Sequence, residues 1–461
     1  MTGPATAASG TPEVPRPRVA APERWAFPIP SEHRTDNGLR LLVYDIPGQY
    51  VISVRVLIPI NLAEEPRRLE GVTAMVGRLL DEGTSRHTPE EFAELLEQGG
   101  IALGAGVSEG GLSVDVEVPR RFLATALDLQ HQALADPVFP EAEVRRILRS
   151  RLAEIEQERA SAPHRAAREL IATMYDPDDR ASRPASGTAE TIGALTRDDI
   201  VARHAAALGP RGATVVVAGD LDGLDVPALV ADTLGRWEAP GHVPPAPPGR
   251  PVPAADRVRA VIVDRPGSVQ SEISVGVPGP DRHVETGWAP YPVLAFVIGG
   301  SPGARVDAVL REDKGYTYGM RSVFRPRVVG GSFVTSGSVR AEATGEALGL
   351  LLGILDAAAE GFTDEEVRAG VDFIEKTAPG RFATADAVAD EAASLALEGL
   401  APDFPTTHLR RVAGLTPEDL VAAYRAVVTP GEWSVVVVGD AAAIAEAVEA
   451  VAPARPTVVP A

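Results

Sequence analysis

Arg311 and Tyr318 close a stretch rich in chemistry-bearing residues, Gly299-Gly300-Ser-Pro-Gly303-Ala-Arg305-Val-Asp-Ala-Val-Leu310-Arg311-Glu-Asp-Lys-Gly315-Tyr316-Thr-Tyr318. A phenol hydroxyl can donate to an oxygen that is gaining negative charge. A planar guanidinium can hold carbonyl groups with parallel donors. A peptide bond under attack offers both targets, so peptide chemistry suits the pair. Taken alone, the same two residues also fit a helix-surface arginine and a core tyrosine after a glycine turn. Gly299, Gly300 and Gly303 do not form a nucleotide loop, because neither Gly-Lys-Ser/Thr nor Gly-x-Gly-x-x-Gly follows them. They are expected to form a mobile, close-approach loop that contacts a peptide.

Other chemistries find little support. The eight histidines, His33, His87, His131, His164, His204, His242, His283 and His408, contain no His-x-x-x-His pair, and there is no cysteine. No Gly-x-Ser-x-Gly elbow marks a serine nucleophile. Residues 71–84 predict a helix in which Val72, Met75, Val76, Leu79 and Leu80 follow the spacing of one buried face. Ala74, Gly77 and Arg78 share its other side. Alanine and glycine offer no side-chain lone pair, and arginine is a permanent cation that repels a divalent metal. A second predicted helix, 141–159, carries Val144, Ile147, Leu148, Leu152 and Ile155 as its apolar stripe, with Glu154 at the stripe's edge. One carboxylate cannot hold zinc in a closed tetrahedral site. Glu154 reads first as the partner of a neighbouring arginine, and no metal or other cofactor is expected in this chain.

The elements that must position these residues repeat. Leu195-Thr196-Arg-Asp-Asp-Ile, a helix, and Val215-Val216-Val217-Ala218-Gly219-Asp220 recur as Leu415-Thr416-Pro-Glu-Asp-Leu, a helix, and Val435-Val436-Val437-Val438-Gly439-Asp440. Asp45-Ile-Pro47-Gly48 recurs as Asp264-Arg-Pro266-Gly267, and Phe139-Pro-Glu-Ala-Glu-Val144 as Phe362-Thr-Asp-Glu-Glu-Val367. Landmarks in constant order and near-constant spacing mark an internal duplication. Between the copies, the proline density of residues 239–256 predicts an extended linker. Within the first copy, residues 39–45, 51–58 and 112–118 read as strands. Thr88-Pro89-Glu90-Glu91 opens a helix with a capping box that Gly99-Gly100 stops. Strands and helices in this mixture predict an α+β fold.

With 64 acidic against 44 basic residues the chain carries a formal charge of −20, which disfavours nucleic acid or an anionic membrane as partner. No apolar run is expected to cross a membrane. Residues 1–24, rich in Thr, Ala, Pro and Gly, lack a secretory pattern and are expected to be a disordered tail, with a cytoplasmic location for the chain.

Residues 71–84 and 299–318 together resemble the peptidase family M16, the pitrilysin, insulinase and mitochondrial processing peptidase group. That family writes the first segment as a His-x-x-Glu-His helix closed by Gly-Thr, so its metal ligands and catalytic glutamate fall here on Ala74, Arg78 and Gly77, with Glu154 at the place of the remaining ligand. Its second-domain signature, a glycine loop followed by Leu-Arg-Glu and a Gly-Tyr close, is intact. The resemblance implies two homologous α/β sandwich domains joined by the Pro-rich linker: a degenerate zinc domain over 25–238, the linker 239–256, and a domain over 257–461 carrying the Arg/Tyr pair. Family members hold two such domains facing one another like a clam shell.

The resemblance further implies a non-catalytic subunit of a heterodimeric M16 zinc peptidase. The partner homologue would bring zinc, and this chain would bring Arg311 to position peptide backbone and Tyr318 to the scissile region, with Gly299, Gly300 and Gly303 touching substrate. The expected substrate is a peptide or propeptide. A structural scaffold, or a peptide-binding module without catalytic role, are the alternatives.

Overall fold

The computed structural model describes residues 25–256 and 258–460; the expected disordered tail, residues 1–24, lies outside the described residues. Two six-stranded sheets form the frame, in the orders β1-β2-β6-β3-β5-β4 and β12-β7-β11-β8-β10-β9. The first contains β1 (Ser31–Arg34), β2 (Arg40–Asp45), β3 (Val51–Pro59), β4 (Ala102–Ser108), β5 (Gly111–Pro119) and β6 (Thr214–Gly219). The second contains β7 (Arg259–Asp264), β8 (Gln270–Gly279), β9 (Arg321–Pro326), β10 (Gly331–Arg340), β11 (Ser434–Gly439) and β12 (Thr457–Pro460). The helices that matter for the site are α1 (Val72–Arg78), α2 (Pro89–Gly99), α3 (Glu141–Ala160) and α4 (Ala162–Met174), then α5 (Asp364–Arg381), α6 (Ala385–Glu398) and α7 (Phe404–Val412).

The repeated landmarks are the hydrogen-bonded corners of these sheets. In the first, β2 runs parallel to β6 with Arg40 opposite Thr214; in the second, β7 runs parallel to β11 with Arg259 opposite Ser434. Asp220 accepts from the Gly48 amide at 2.8 Å and Asp45 from the Leu221 amide at 3.0 Å. Asp440 and Asp264 do the same for Gly267 and Ala441, at 2.8 and 3.0 Å. Gly48 and Gly267 turn at φ of 85° and 76°, where a side chain would be strained. Each duplicated Asp and Gly therefore ties the strand corner at one end of the parallel pair.

Every residue of β6 and of β11 is buried, which is why both read as unbroken apolar runs. One face of each sheet is covered by helices of its own half. The other face is covered by a helix from the opposite half. From the second half, α6 lays Val388, Ala389 and Ala392 on Leu42, Tyr44, Leu57 and Val216 of the first sheet. From the first half, α4 lays Ala166, Leu170 and Met174 on Val261, Val263, Val436 and Val438 of the second. Buried Arg55 of β3 reaches Asp390 of α6 at 2.8 Å and Glu117 at 2.7 Å, adding a polar tie across the exchange. The Pro-rich linker is pinned as it passes, since the Asp176 amide donates to the Val252 carbonyl and Ala254 donates to Met174, each at 2.9 Å.

The segment Pro290–Asp313 is 24 residues long and contains an 18-residue window of mean hydropathy 1.4, which by length and composition alone would suffice to cross a membrane. Its backbone kinks at Gly299, its most apolar window is half buried, and it carries Arg305 and fully buried Asp307. It serves as a core segment of the second half.

Candidate functional site

The degenerate helix α1 sits against β4 and β5. Glu65, itself buried, accepts from the Gly71 amide at 3.1 Å and the Thr73 amide at 3.0 Å, so a carboxylate caps the helix start where it also complements the helix dipole. The sequence reading missed Glu65, because its partners lie six and eight residues on and outside any capping-box spacing. The helix spans only Val72–Arg78, shorter than 71–84, and its second side is not a solvent face: Val72 through Gly77 are all buried. A Cβ on Gly77 would lie 3.0 Å from Leu112 Cδ1 and 3.3 Å from Ala105 Cβ. The glycine lets the helix approach the sheet.

Only Arg78 reaches out from this side, and it goes to Glu154. Its two terminal nitrogens donate to the two carboxylate oxygens at 2.7 and 2.8 Å, while Arg151 donates to the same carboxylate at 3.1 Å. Arg151, 3% exposed, also holds Glu158 at 2.6 Å and Ser186 at 3.0 Å. The Arg78 guanidinium, with Arg151 behind it, keeps the Glu154 carboxyl below its usual range. These residues do not fit zinc. The donor set offers one carboxylate, both of whose oxygens are taken by a cation that would repel the metal. Among the described residues no group of three or more His, Asp or Glu side chains could hold a metal ion.

The second candidate stretch lies in the other half. Gly299 is helix-breaking, at φ −158° and ψ 24°, and a Cβ there would come within 2.5 Å of Ser322 Oγ and 2.9 Å of the Ser322 nitrogen. Its lack of a side chain allows β9 to pass. A Cβ on Gly303, by contrast, would meet nothing within 4 Å. Arg311 is 39% exposed along its side chain and lies 3.4 Å from Glu312. After the turn at Gly315, the Tyr316 amide donates to the Leu310 carbonyl at 2.9 Å and its hydroxyl to Glu346 at 2.7 Å. Beyond it, fully buried Asp307 accepts from the Met320 amide at 2.8 Å and from Arg321 at 3.0 Å. Tyr318 stands between these two anchors and is 95% exposed. The tyrosine fastened to the body is Tyr316; Tyr318 projects from a loop pinned on either side. No hydrogen bond or ion pair joins Arg311 to Tyr318 among the described residues.

Comparison with known proteins then settles the ancestry. Residues 41–187 match the family described as Insulinase (Peptidase family M16), and residues 194–372 match the Peptidase M16 inactive domain. The chain belongs to peptidase family M16. It is 25% identical over 401 residues to an uncharacterized zinc protease of Streptomyces coelicolor, covering 84% of this chain and 85% of that one. An uncharacterized zinc protease of Mycobacterium leprae is 26% identical over 292 residues, 62% of this chain and 64% of the relative. The fold is similar to a solved peptidase M16 inactive domain from Pseudomonas fluorescens, with a TM-score of 0.81 and 21% identity, covering 89% of this chain and 97% of the other. It is also similar to a protease from Helicobacter pylori, with a TM-score of 0.80 and 17% identity over 90% of this chain and 100% of that one. Both likenesses speak for the two-domain M16 architecture. The α1 site, in which Arg78 and Glu154 neutralise each other, marks this chain as an inactive-type member.

Proposed function

We propose that this chain is the non-catalytic subunit of a heterodimeric M16 peptidase, presenting Arg311 and Tyr318 to a peptide or propeptide held between it and a zinc-bearing homologue. The observation that carries the reading is the contrast between the two halves. In the first, the metal-binding positions have been rebuilt as packing and an ion pair. In the second, Tyr318 is held out by a loop anchored through Tyr316 and Asp307, with its own hydroxyl left to solvent. A side chain kept only for packing has no reason to stand 95% exposed between two fixed points. Gly303, with open space at its Cβ position, belongs to the surface offered to substrate, and Gly299 and Gly300 shape the approach to it.

A scaffold role, or peptide binding without catalysis, would leave Tyr318 without a task in turnover. The deciding experiment mixes the purified chain with an intact His-x-x-Glu-His homologue from the same genome and follows peptide hydrolysis alongside size-exclusion chromatography. Hydrolysis that appears only on mixing, with a complex larger than either component, supports the reading. A zinc homologue that is fully active alone and indifferent to this chain would overturn it.

A further inference from the structure

A cavity of about 390 Å³ opens between α5, α7 and the Trp288–Phe296 segment, and no residue of the Tyr318 loop lines it. Its wall is aromatic: Trp288, Phe296, Phe373, Phe382 and Phe404 all line it. Phe296 and Phe373 stack at 4.5 Å with a 24° interplanar angle, and Phe373 is 49% exposed at the opening. Several of these faces are already covered, Phe382 by Trp25 and Phe404 by His408, so the cavity is bounded by ring edges and by the half-exposed Phe373, an apolar space large enough for another aromatic ring.

The charges around the cavity are arranged unevenly. Arg282 is fully engaged, bonded to Glu398 at 2.6 Å through two nitrogens, to Glu391 at 2.9 Å and to Ser394 at 2.8 Å. Arg381 is 71% exposed, and among the described residues its one carboxylate partner is Glu391, at 3.8 Å, already shared with Arg282. It is the under-used cation at the mouth. His408, which also lines the cavity, is pushed down to about 4 by burial and then by Arg282, Arg381 and Arg411, so at neutral pH it is an uncharged hydrogen-bonding group. Guanidinium groups already lie over two of the rings, Arg282 over Phe404 at 5.5 Å and Arg381 over Phe382 at 5.1 Å. A cationic ligand would compete with them and be repelled. Glu391 lines the cavity as well, so the charges of its rim nearly balance, and Arg381 is the group with donors left to offer an anion.

We propose that this cavity is a binding site for a small aryl carboxylate, its ring in the cavity against Phe373 and the edges of the inner aromatics and its carboxylate on Arg381. The site is independent of the peptidase reading, and its occupancy is measurable on this chain alone. The test is isothermal titration of the full-length chain with 2-naphthoate, with the neutral isostere 2-naphthamide, and with 2-naphthylmethyl-trimethylammonium. Naphthoate is expected to saturate one site per chain and to bind about tenfold more tightly than the amide, the discrimination expected of one charge-assisted hydrogen bond. R381A should reduce naphthoate to the affinity of the amide, and F373A should weaken both. Arg381 and Phe373 are exposed at the rim, so both variants are expected to keep the wild-type melting temperature. Absence of saturable naphthoate binding, equal affinity for acid and amide, tighter binding of the ammonium compound, or full naphthoate affinity in a folded R381A would each overturn the proposal.

Discussion

Arg78 and Glu154 face each other in a two-pronged ion pair, 2.7 and 2.8 Å, that ties α1 to α3. Both side chains are about one third exposed, at 37% and 36%, so solvent screens the pair and its net contribution is about 0.5–1 kcal/mol. The carboxyl of Glu154 is depressed by Arg78 in the folded protein. A depressed carboxyl contributes stability above its unfolded value, about 4.3, and loses it as pH falls toward the folded value. Arg78→Ala should therefore lower unfolding free energy by about 0.5–1 kcal/mol at pH 7, and the gap from the parent should close below about pH 4. Urea unfolding at the two pH values checks both the size and the sign.

Restoring the ligand letters should not restore the enzyme. In Ala74→His, Gly77→Glu, Arg78→His, the new glutamate must grow from a position where even a Cβ would press on Leu112 and Ala105, at 3.0 and 3.3 Å. Overpacking of this kind costs about 1–3 kcal/mol before the buried carboxylate is counted. The triple variant is expected to melt below the parent and to bind zinc weakly at best, as calorimetry and metal analysis would show. Strong zinc binding with self-contained proteolysis would mean that the packing around α1 is far more permissive than its contacts indicate.

The helix exchange predicts that neither half folds alone. Cut within 239–256, the first half loses α6 from Leu42, Tyr44, Leu57 and Val216, and the second loses α4 from Val261, Val263, Val436 and Val438. Each fragment would then expose an apolar sheet face, which soluble monomers avoid. Expressed singly, the fragments should aggregate or bind a hydrophobic dye; expressed together, they should co-purify as a folded pair. Two independently soluble, cooperatively melting fragments would contradict the exchange.

The same arrangement explains which parts of the fold were legible in the sequence. Asp45, Gly48 and Asp220, repeated as Asp264, Gly267 and Asp440, are local corner chemistry, so their recurrence exposed the duplication directly, while the parallel pairing of the strands they tie was not read. The capping box at Thr88 and Glu91 formed as its letters require, with Gly100 closing α2 at φ 59°. Periodicity tells that a helix has a buried face and is silent on which sheet buries it, so the crossing of α4 and α6 could not be read. The burial of Ala74 and Gly77 was hidden for a related reason, since small residues look alike on a wet face and in a tight contact. Pairing of Glu154 with an arginine was foreseeable from its place at the edge of a stripe, but Arg78 as that partner requires α1 and α3 to be adjacent, a tertiary fact. For Tyr318, spacing alone left core and surface open, and only the anchors at Tyr316 and Asp307 place it outside.

If the proposed pairing with a zinc homologue holds, Arg311 and Tyr318 should matter for turnover and not for assembly. Tyr318→Phe removes one hydroxyl from a side chain that packs on nothing, so folding and complex formation should be untouched. Loss of one donor to a developing oxyanion costs on the order of a hundredfold in rate, about 3 kcal/mol, and should fall on kcat with little change in KM. Arg311→Ala removes a half-exposed guanidinium whose nearest intrachain partner is Glu312 at 3.4 Å, a contact worth little to stability. Its loss should raise KM as well, because backbone positioning is used in the ground state and the transition state alike. Steady-state kinetics of each assembled variant, beside its elution volume, separate these effects. Parent kinetics in both variants would reduce the Arg311–Tyr318 stretch to a feature of the fold, and a lost complex would move the two residues to the subunit interface.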